Sequence, residues 1–350
     1  MLRNSMKKIL FSVTALFAVV SLVAAGCSDD NDNENVSSAD KPSIVVTTNI
    51  LGDVVSNMVG DSFNVEVIMP PGSDPHDFQA SAQQVEKMMS ADLLVVNGAN
   101  FEEGMLSVIE SAEADGVMVF EAISVVSQLE GSDDHGHDDH EGHDDHDDHE
   151  GHDDHDDHEG HDDHDDHEGH DHGGIDPHFF TDPARMAVVV EELSEFLVAN
   201  FPNVDQGFVS TANDYAQELI DLDEEVNEIL SEIPQEGKVL VTNHAVFAYF
   251  ADSYGFEILG EIIPSASTLS SANAQQLASL ADELSSNSVK AIFADASASD
   301  TLARTLAAEV GDIEVITLFT ESLGEPGSSG ANYIEMVKFN AQAIASGLVG

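Results

Sequence analysis

Between Gly131 and Gly174 this chain has no apolar residue at all. A stretch of that composition has nothing to bury, so nothing offsets the entropy lost on ordering. Its repeating unit, DDHDDHEGH, has a period of nine, and the sequence predicts a disordered segment in the absence of metal. The tract interrupts the chain's apolar pattern, so any core has to come from the segments that flank it.

Both flanks alternate short apolar runs with helical periods. On the N-terminal side, Ser43 opens a strand (IVVTTN), and a helix-like ILGDVVSNMVG ends at Gly60. Strand NVEVIM runs into Pro70-Pro71-Gly72, and a helix from about Ser81 to Ser90 leads to the apolar strand DLLVVNG. Glu102 to Ala114 is helical in period, and Val117 to Phe120 is strand-like. On the C-terminal side, Tyr215, Leu219, Leu222, Val226, Ile229 and Ile233 form one apolar stripe on a long helix. Then come strand KVLVTN, helix Ala245–Tyr254, strand FEILG, helix Asn273–Asn287, strand KAIFAD, helix Asp300–Val310, strand IEVITLF and a last helix from about Asn332. Short apolar strands alternating with helices predict buried parallel sheets of βαβ units. The fold class is therefore α/β, with two lobes, each a parallel β-sheet flanked by helices, joined by a long helix. In such sheets ligands sit outside the carboxyl ends of the strands.

The N-terminus has Arg3, Lys7 and Lys8, then an apolar run from Ile9 to Ala25 and small residues before Cys27. This reads as a secretory signal and places the protein outside the cytoplasm. Cys27 is the only cysteine, which excludes an intramolecular disulfide and a thiolate metal site. Ala24-Ala25-Gly26-Cys27 resembles the lipobox of bacterial-type lipoproteins, although Ala24 stands where Leu is preferred. The resemblance implies an acylated Cys27 and a membrane anchor, with the polar segment Ser28 to Asp40 as a flexible tether. Formal net charge is −58, and 22 acidic residues lie in residues 131–176, five more in the tether. The remainder still has 41 acids against 7 bases once the three bases of the signal are set aside. Such a body repels nucleic acid and gathers cations. A salty habitat, where self-repulsion is screened, accounts for the same excess, and its spread over the whole body favours that reading.

Seventeen histidines divide into two groups. Fourteen lie in the tract: His135, His137, His140, His143, His146, His149, His152, His155, His158, His161, His164, His167, His170 and His172. With their neighbouring carboxylates they offer many weak ligands to divalent metal. The other three, His76, His178 and His244, are isolated in patterned segments, and two of them share the string Asp-Pro-His. His76 follows strand NVEVIM and His244 follows KVLVTN, both at strand ends, so the three are candidates for one built metal site. Asp74 and Asp176 are placed either to accept an imidazole N–H or simply to make an Asp-Pro turn. Phe247, Tyr249, Phe250, Tyr333 and Met336 read as packing residues.

The strings PGSDPHDF, DPHFFTDP, NHAVFAYFADSYGFEILG and LFTESLGEPGSSGANYIEMVKFNAQAI resemble the zinc/manganese substrate-binding lipoproteins of ABC transporters. The tract stands where zinc-type members have a His-rich loop. The resemblance implies a rigid backbone helix between the lobes, His76, His178 and His244 as metal ligands, and a fourth ligand at Glu321. Many members have Asp in a D-[SP]-L-G string where this chain has Glu321-Ser322-Leu323-Gly324. Two other departures touch the surroundings of the site: Phe78-Gln79-Ala80 where Tyr-Glu-Pro is frequent, and Asp295 where Glu is common. Manganese-type members tend to have Glu at the third position, so His244 points to zinc over manganese, as three imidazoles do on chemical grounds.

The resulting domain plan is a signal peptide (1–26), a lipidated tether (27–42), an N-terminal metal-binding lobe (43–203, with the loop at 131–174), a linking helix (204–233) and a C-terminal metal-binding lobe (237–350). The expected function is a monomeric, non-enzymatic zinc receptor that delivers metal to an ABC permease. Two alternatives stay open: a surface zinc store or adhesin acting through the tract, and a zinc hydrolase with Glu321 as general base, weakened by the lack of an HExxH-type motif.

Overall fold

The computed structural model describes residues 41–131, 174–311 and 313–349. The signal, Cys27, nearly all of its tether and the histidines from His135 to His172 lie outside the described residues.

Four strands that precede the tract, β1 (Ser43–Val46), β2 (Asn64–Val67), β3 (Leu93–Val96) and β4 (Met118–Glu121), form a parallel sheet in the order β2-β1-β3-β4. Four that follow it, β5 (Val239–His244), β6 (Glu257–Ile263), β7 (Ala291–Asp295) and β8 (Glu314–Leu318), form a second parallel sheet in the order β6-β5-β7-β8. Each half therefore reverses its strand order beside its first strand, the place where open α/β sheets form a binding crevice. β3 and β7 are buried along their whole length, which is why they read as unbroken apolar runs.

Nine helices cover these sheets among the described residues: α1 (Asn49–Val59), α2 (Ala82–Met89), α3 (Leu106–Ala114), α4 (Pro183–Asn200), α5 (Phe208–Leu230), α6 (Ala248–Tyr254), α7 (Ala274–Asn287), α8 (Thr301–Val310) and α9 (Tyr333–Val349). Side-chain alternation along each strand separates two faces. Ile44 and Val46 of β1, with Leu240 of β5 and Phe293 of β7, join one apolar cluster that runs through both halves by way of α1, α4, α5 and α9. The opposite faces are local. Val45, Leu94 and Val96 pack with Met88, Met105 and Ala112, and Val241, Ile292 and Ala294 pack with Leu280, Leu284, Ala303 and Leu306.

The long helix of the apolar stripe is α5, which packs against α1, α4 and α9. It begins at Phe208 and ends at Leu230, inside the 204–233 expected from the stripe. At its start the Gln206 side chain bonds the carbonyls of Phe201 and Val204 and keeps that stretch in a turn. At its end the chain turns through Ser231 toward Pro234, which cannot continue a helix. The helix of 18 residues before it, α4, had no counterpart among the sequence expectations. Its buried positions include Met186, Val189, Val190, Leu193 and Leu197, but exposed Val188 and Val198 blur the stripe. Its start is signalled locally, because Asp182 accepts from the Ala184 and Arg185 N–H groups and Pro183 occupies the first turn. Among the described residues no helix is long and apolar enough to cross a membrane.

Candidate metal centre

The three isolated histidines sit on backbone held by short-range contacts. His76 lies in the loop after β2, and the Asp74 carboxylate accepts its backbone N–H at 2.9 Å. His178 ends the loop before α4, and Asp176 accepts its N–H at 2.8 Å. The shared Asp-Pro-His string is thus a turn that fixes where the imidazole leaves the backbone. His244 is the last residue of β5. Glu321 follows β8, and its neighbours fasten it to the other half of the fold. Ser322 Oγ accepts from Asn49 Nδ2 and from the Gly72 N–H, both at 2.8 Å, while the Leu323 N–H donates to Asn49 Oδ1 at 2.7 Å.

These four side chains converge. Nε2 of His76, His178 and His244 lies 3.0, 3.1 and 2.8 Å from one atom, Glu321 Oε1. All four residues are buried, none with more than 2 % of its surface exposed. Their ligand-type atoms all lie within 4.8 Å of one another. Ligands placed tetrahedrally around an ion at bond lengths of ~2.0–2.2 Å stand about 3.3–3.5 Å apart, so the set would admit a cation if Glu321 Oε1, now 2.8–3.1 Å from each imidazole, backed away slightly. Glu321 Oε2 is buried without a hydrogen-bond partner, a costly arrangement unless another ligand uses it. Three imidazoles and a carboxylate are a donor set suited to borderline divalent metals.

Electrostatics follow from burial and close opposite charge. Burial alone lowers the His178 pKa, but the Asp176 carboxylate and then Glu321 outweigh it and raise the group to about 9. His244 is also raised, because Glu321 overcomes the burial that lowers it. Burial raises Glu321, yet the surrounding imidazoles, His244 foremost, hold it well below the ordinary carboxylate range. Asp295 at the end of β7 is pushed up to about 6, by burial first and then by the Glu321 charge.

The profile of the family described as "ZnuA: Zinc-uptake complex component A periplasmic" matches residues 44–347. The chain belongs to this family. Similar curated proteins include the manganese ABC transporter substrate-binding lipoprotein PsaA of Streptococcus anginosus, 26 % identical over 98 % of this chain and 99 % of the relative. The manganese-binding lipoprotein MntA of Halalkalibacterium halodurans is 26 % identical with the same coverage. Among solved structures, the periplasmic zinc binding protein TroA from Treponema pallidum superposes with a TM-score of 0.71 at 26 % identity, over 88 % of this chain and 99 % of that one. The two-lobed α/β fold expected from the sequence is the one shared with TroA.

Within this ZnuA-family chain, the supports of the imidazoles were only partly legible. Asp176 serves both suggested roles, since its Oδ1 also meets His178 Nδ1 at 2.9 Å. Asp74 serves only the turn, and its second oxygen accepts from Thr268 Oγ1 of the other half at 2.8 Å. The imidazole of His76 is instead held at Nδ1 by Glu103, 3.0 Å away, a residue that sequence reasoning passed over. Its signal was the acidic pair Glu102-Glu103 just past β3, at the carboxyl edge of the sheet. Glu102 turns inward to accept from Thr47 Oγ1 at 2.6 Å and the Asn97 N–H at 2.7 Å, and Glu103 turns outward. Tyr249 and Tyr333 are fully buried as expected, and their hydroxyls also tie the site loops, Tyr249 to the Asp176 carbonyl at 2.9 Å and Tyr333 to the Phe180 carbonyl at 2.7 Å.

Proposed function

We propose that this chain is an extracytoplasmic receptor that takes up one zinc ion at His76, His178, His244 and Glu321 and delivers it to an ABC permease. Family membership supports the metal-receptor part, and relatives over the full length are named substrate-binding lipoproteins of ABC transporters. The observation that carries the reading is the single buried carboxylate oxygen met by three imidazoles at 2.8–3.1 Å. Four protein ligands with no position left for water is the pattern of a site that holds metal without turning it over. A hydrolase would need Glu321 beside a metal-bound water in reach of substrate, whereas Glu321 is buried among the imidazoles.

For the choice of metal, the family description names zinc while PsaA and MntA are named for manganese. We give the ligand chemistry more weight than either name. Three nitrogen donors suit zinc, while manganese prefers oxygen. Acylation at Cys27 is supported by its lipobox-like setting and by relatives named lipoproteins. The histidines of the tract serve as accessory weak sites.

The test is a titration of the soluble chain starting after Cys27, with residues 133–172 deleted and a competing chelator present, using zinc and manganese in parallel. One tight equivalent of zinc with weaker manganese binding is expected. Tight manganese and weak zinc would overturn the zinc assignment. Loss of all tight binding would transfer metal handling to the tract and favour a surface store.

A further inference from the structure

The four-residue site is sealed from solvent almost everywhere, yet an ion has to reach it. A crevice of about 250 Å³ includes His76 in its wall. One side is formed by His76, Glu103 and the turn Ala99-Asn100 of the first half, another by the loop from Pro264 to Ser267 of the second. A short antiparallel stem closes the third side, where Glu130 bridges Ile175 and the Gly131 N–H donates to the Gly174 carbonyl at 2.8 Å.

Two features mark this crevice as built. Ala99 and Asn100 have φ of 50° and 60°, left-handed backbone that is uncommon for residues with a side chain and is often kept at functional sites. The turn is pinned in that shape from inside, as the Asn97 and Gly98 N–H groups both donate to the Glu102 carboxylate. The second feature is an asymmetry between the two carboxylates that hold imidazoles. Asp176, behind His178, is 3 % exposed, whereas Glu103, behind His76, is 32 % exposed. Of the carboxylates bonded to the three imidazoles, Glu103 is the one that reaches solvent, and the crevice opens beside it.

We propose that this crevice is the ion's route in and out, and that Glu103 is the positioning residue that makes His76 the last ligand to bind and the first to release. The inference rests on the metal-receptor reading above and adds a path and an order to it. Glu103 accepts the Nδ1–H of His76, which leaves Nε2 free to coordinate and aims it at the other ligands. A negative carboxylate at the mouth also draws a cation toward the one imidazole within its reach.

The experiment is stopped-flow exchange of cobalt(II) on the full mature chain, read by the absorption of tetrahedral cobalt. Ala266→Trp fills the crevice from the second half, and Ile175→Trp fills it from the stem. Each is expected to slow association and dissociation by a common factor of about fivefold or more, leaving Kd nearly unchanged. Damage to the site itself would raise Kd instead. Glu103→Gln keeps the size of the side chain but loses its charge, and is expected to speed cobalt release by about 10–100-fold with a smaller change in association. Glu103→Asp is expected to recover part of that loss. Unchanged rates in both tryptophan variants would overturn the route, and unchanged release in Glu103→Gln would overturn the role of Glu103. No tetrahedral band in the unsubstituted chain would instead sink the metal-receptor reading on which both rest.

Discussion

At the carboxyl end of β1 the chain places Thr47, Thr48 and Asn49, and at the carboxyl end of β5, the corresponding strand of the second sheet, it places Thr242, Asn243 and His244. The first trio is used for structure. Thr48 caps α1 by accepting the Leu51 N–H, and Asn49 clasps Ser322 and Leu323 of the other half. The second trio ends in a candidate ligand. The loops after β2 and β6 also correspond, and they too divide the work. The loop after β2 has His76, whereas the loop after β6 has Thr268, whose hydroxyl holds Asp74 and so steadies the turn beneath His76. Two sheets of the same strand order thus offer the same set of mouths, and the side chains decide which mouths bind and which brace.

The largest test of this division is removal of the residue on which both halves converge. Glu321→Ala should weaken tight metal binding by more than the ~100-fold upper end typical of a supporting partner, because it takes away the proposed fourth ligand, which meets all three imidazoles. Chelator competition measures it. A Glu321→Ala protein that keeps most of its affinity would show that the second half contributes only His244.

A second test uses protons in place of metal. Histidine has an ordinary pKa near 6.5, and His178 is raised to about 9 by Asp176 and Glu321 against the lowering effect of burial. The folded, metal-free protein therefore binds this proton more tightly than the unfolded chain does. The resulting stability is fully present below about pH 6.5 and is lost as pH rises through about 9, up to ~3 kcal/mol. At the proposed site the same proton would have to leave before His178 bound metal, so metal affinity is expected to rise over that window while metal-free stability falls. Denaturant melts of the metal-free chain from pH 8 to 9.5 check the sign, a window above Asp295, raised to about 6, and above Glu261, raised by burial to about 7. His178→Gln should flatten the curve.

Smaller effects address the bracing residues. Tyr249→Phe removes a buried hydroxyl of α6 that donates to the Asp176 carbonyl and accepts the Leu129 N–H, leaving both groups unpaired. A loss of about 1–3 kcal/mol in unfolding free energy is expected. A larger loss of zinc affinity than of stability would move Tyr249 from bracing to positioning. Thr268→Ala breaks the hydroxyl contact to Asp74, and about 0.5–1.5 kcal/mol is expected, seen as faster metal release with little change in Tm. No change in release would mean that the loop after β6 does not steady His76.

Much of the fold was legible because strand and helix periods are local. IVVTTN, DLLVVNG and KAIFAD announce buried strands from their own composition, and the stripe from Tyr215 to Ile233 announces α5. α4 escaped because exposed valines interrupt the contrast between its faces, although the Asp182-Pro183 start was there to be read. The three histidines stood out as candidates because every other histidine belongs to the tract. Their supports did not stand out. Asp176 is two residues from His178 and within reach of local reasoning, whereas Glu103 is 27 residues from His76, and its one local signal, the acidic pair past β3, does not say which imidazole it meets.

By itself, then, the sequence determined two parallel α/β halves, a long helix between them, a tract that cannot build a core, and three histidines set apart for a site. Only the tertiary structure decided that one oxygen of Glu321 meets all three imidazoles, that Ser322 and Asn49 clasp the halves beside it, and that Glu103 rather than Asp74 holds His76. The physical reason is range. Period and turn chemistry act over a few residues, while Glu321 meets His76 across 245 positions of chain, a contact that exists only once packing along α1, α5 and α9 has brought the two sheets' carboxyl ends together.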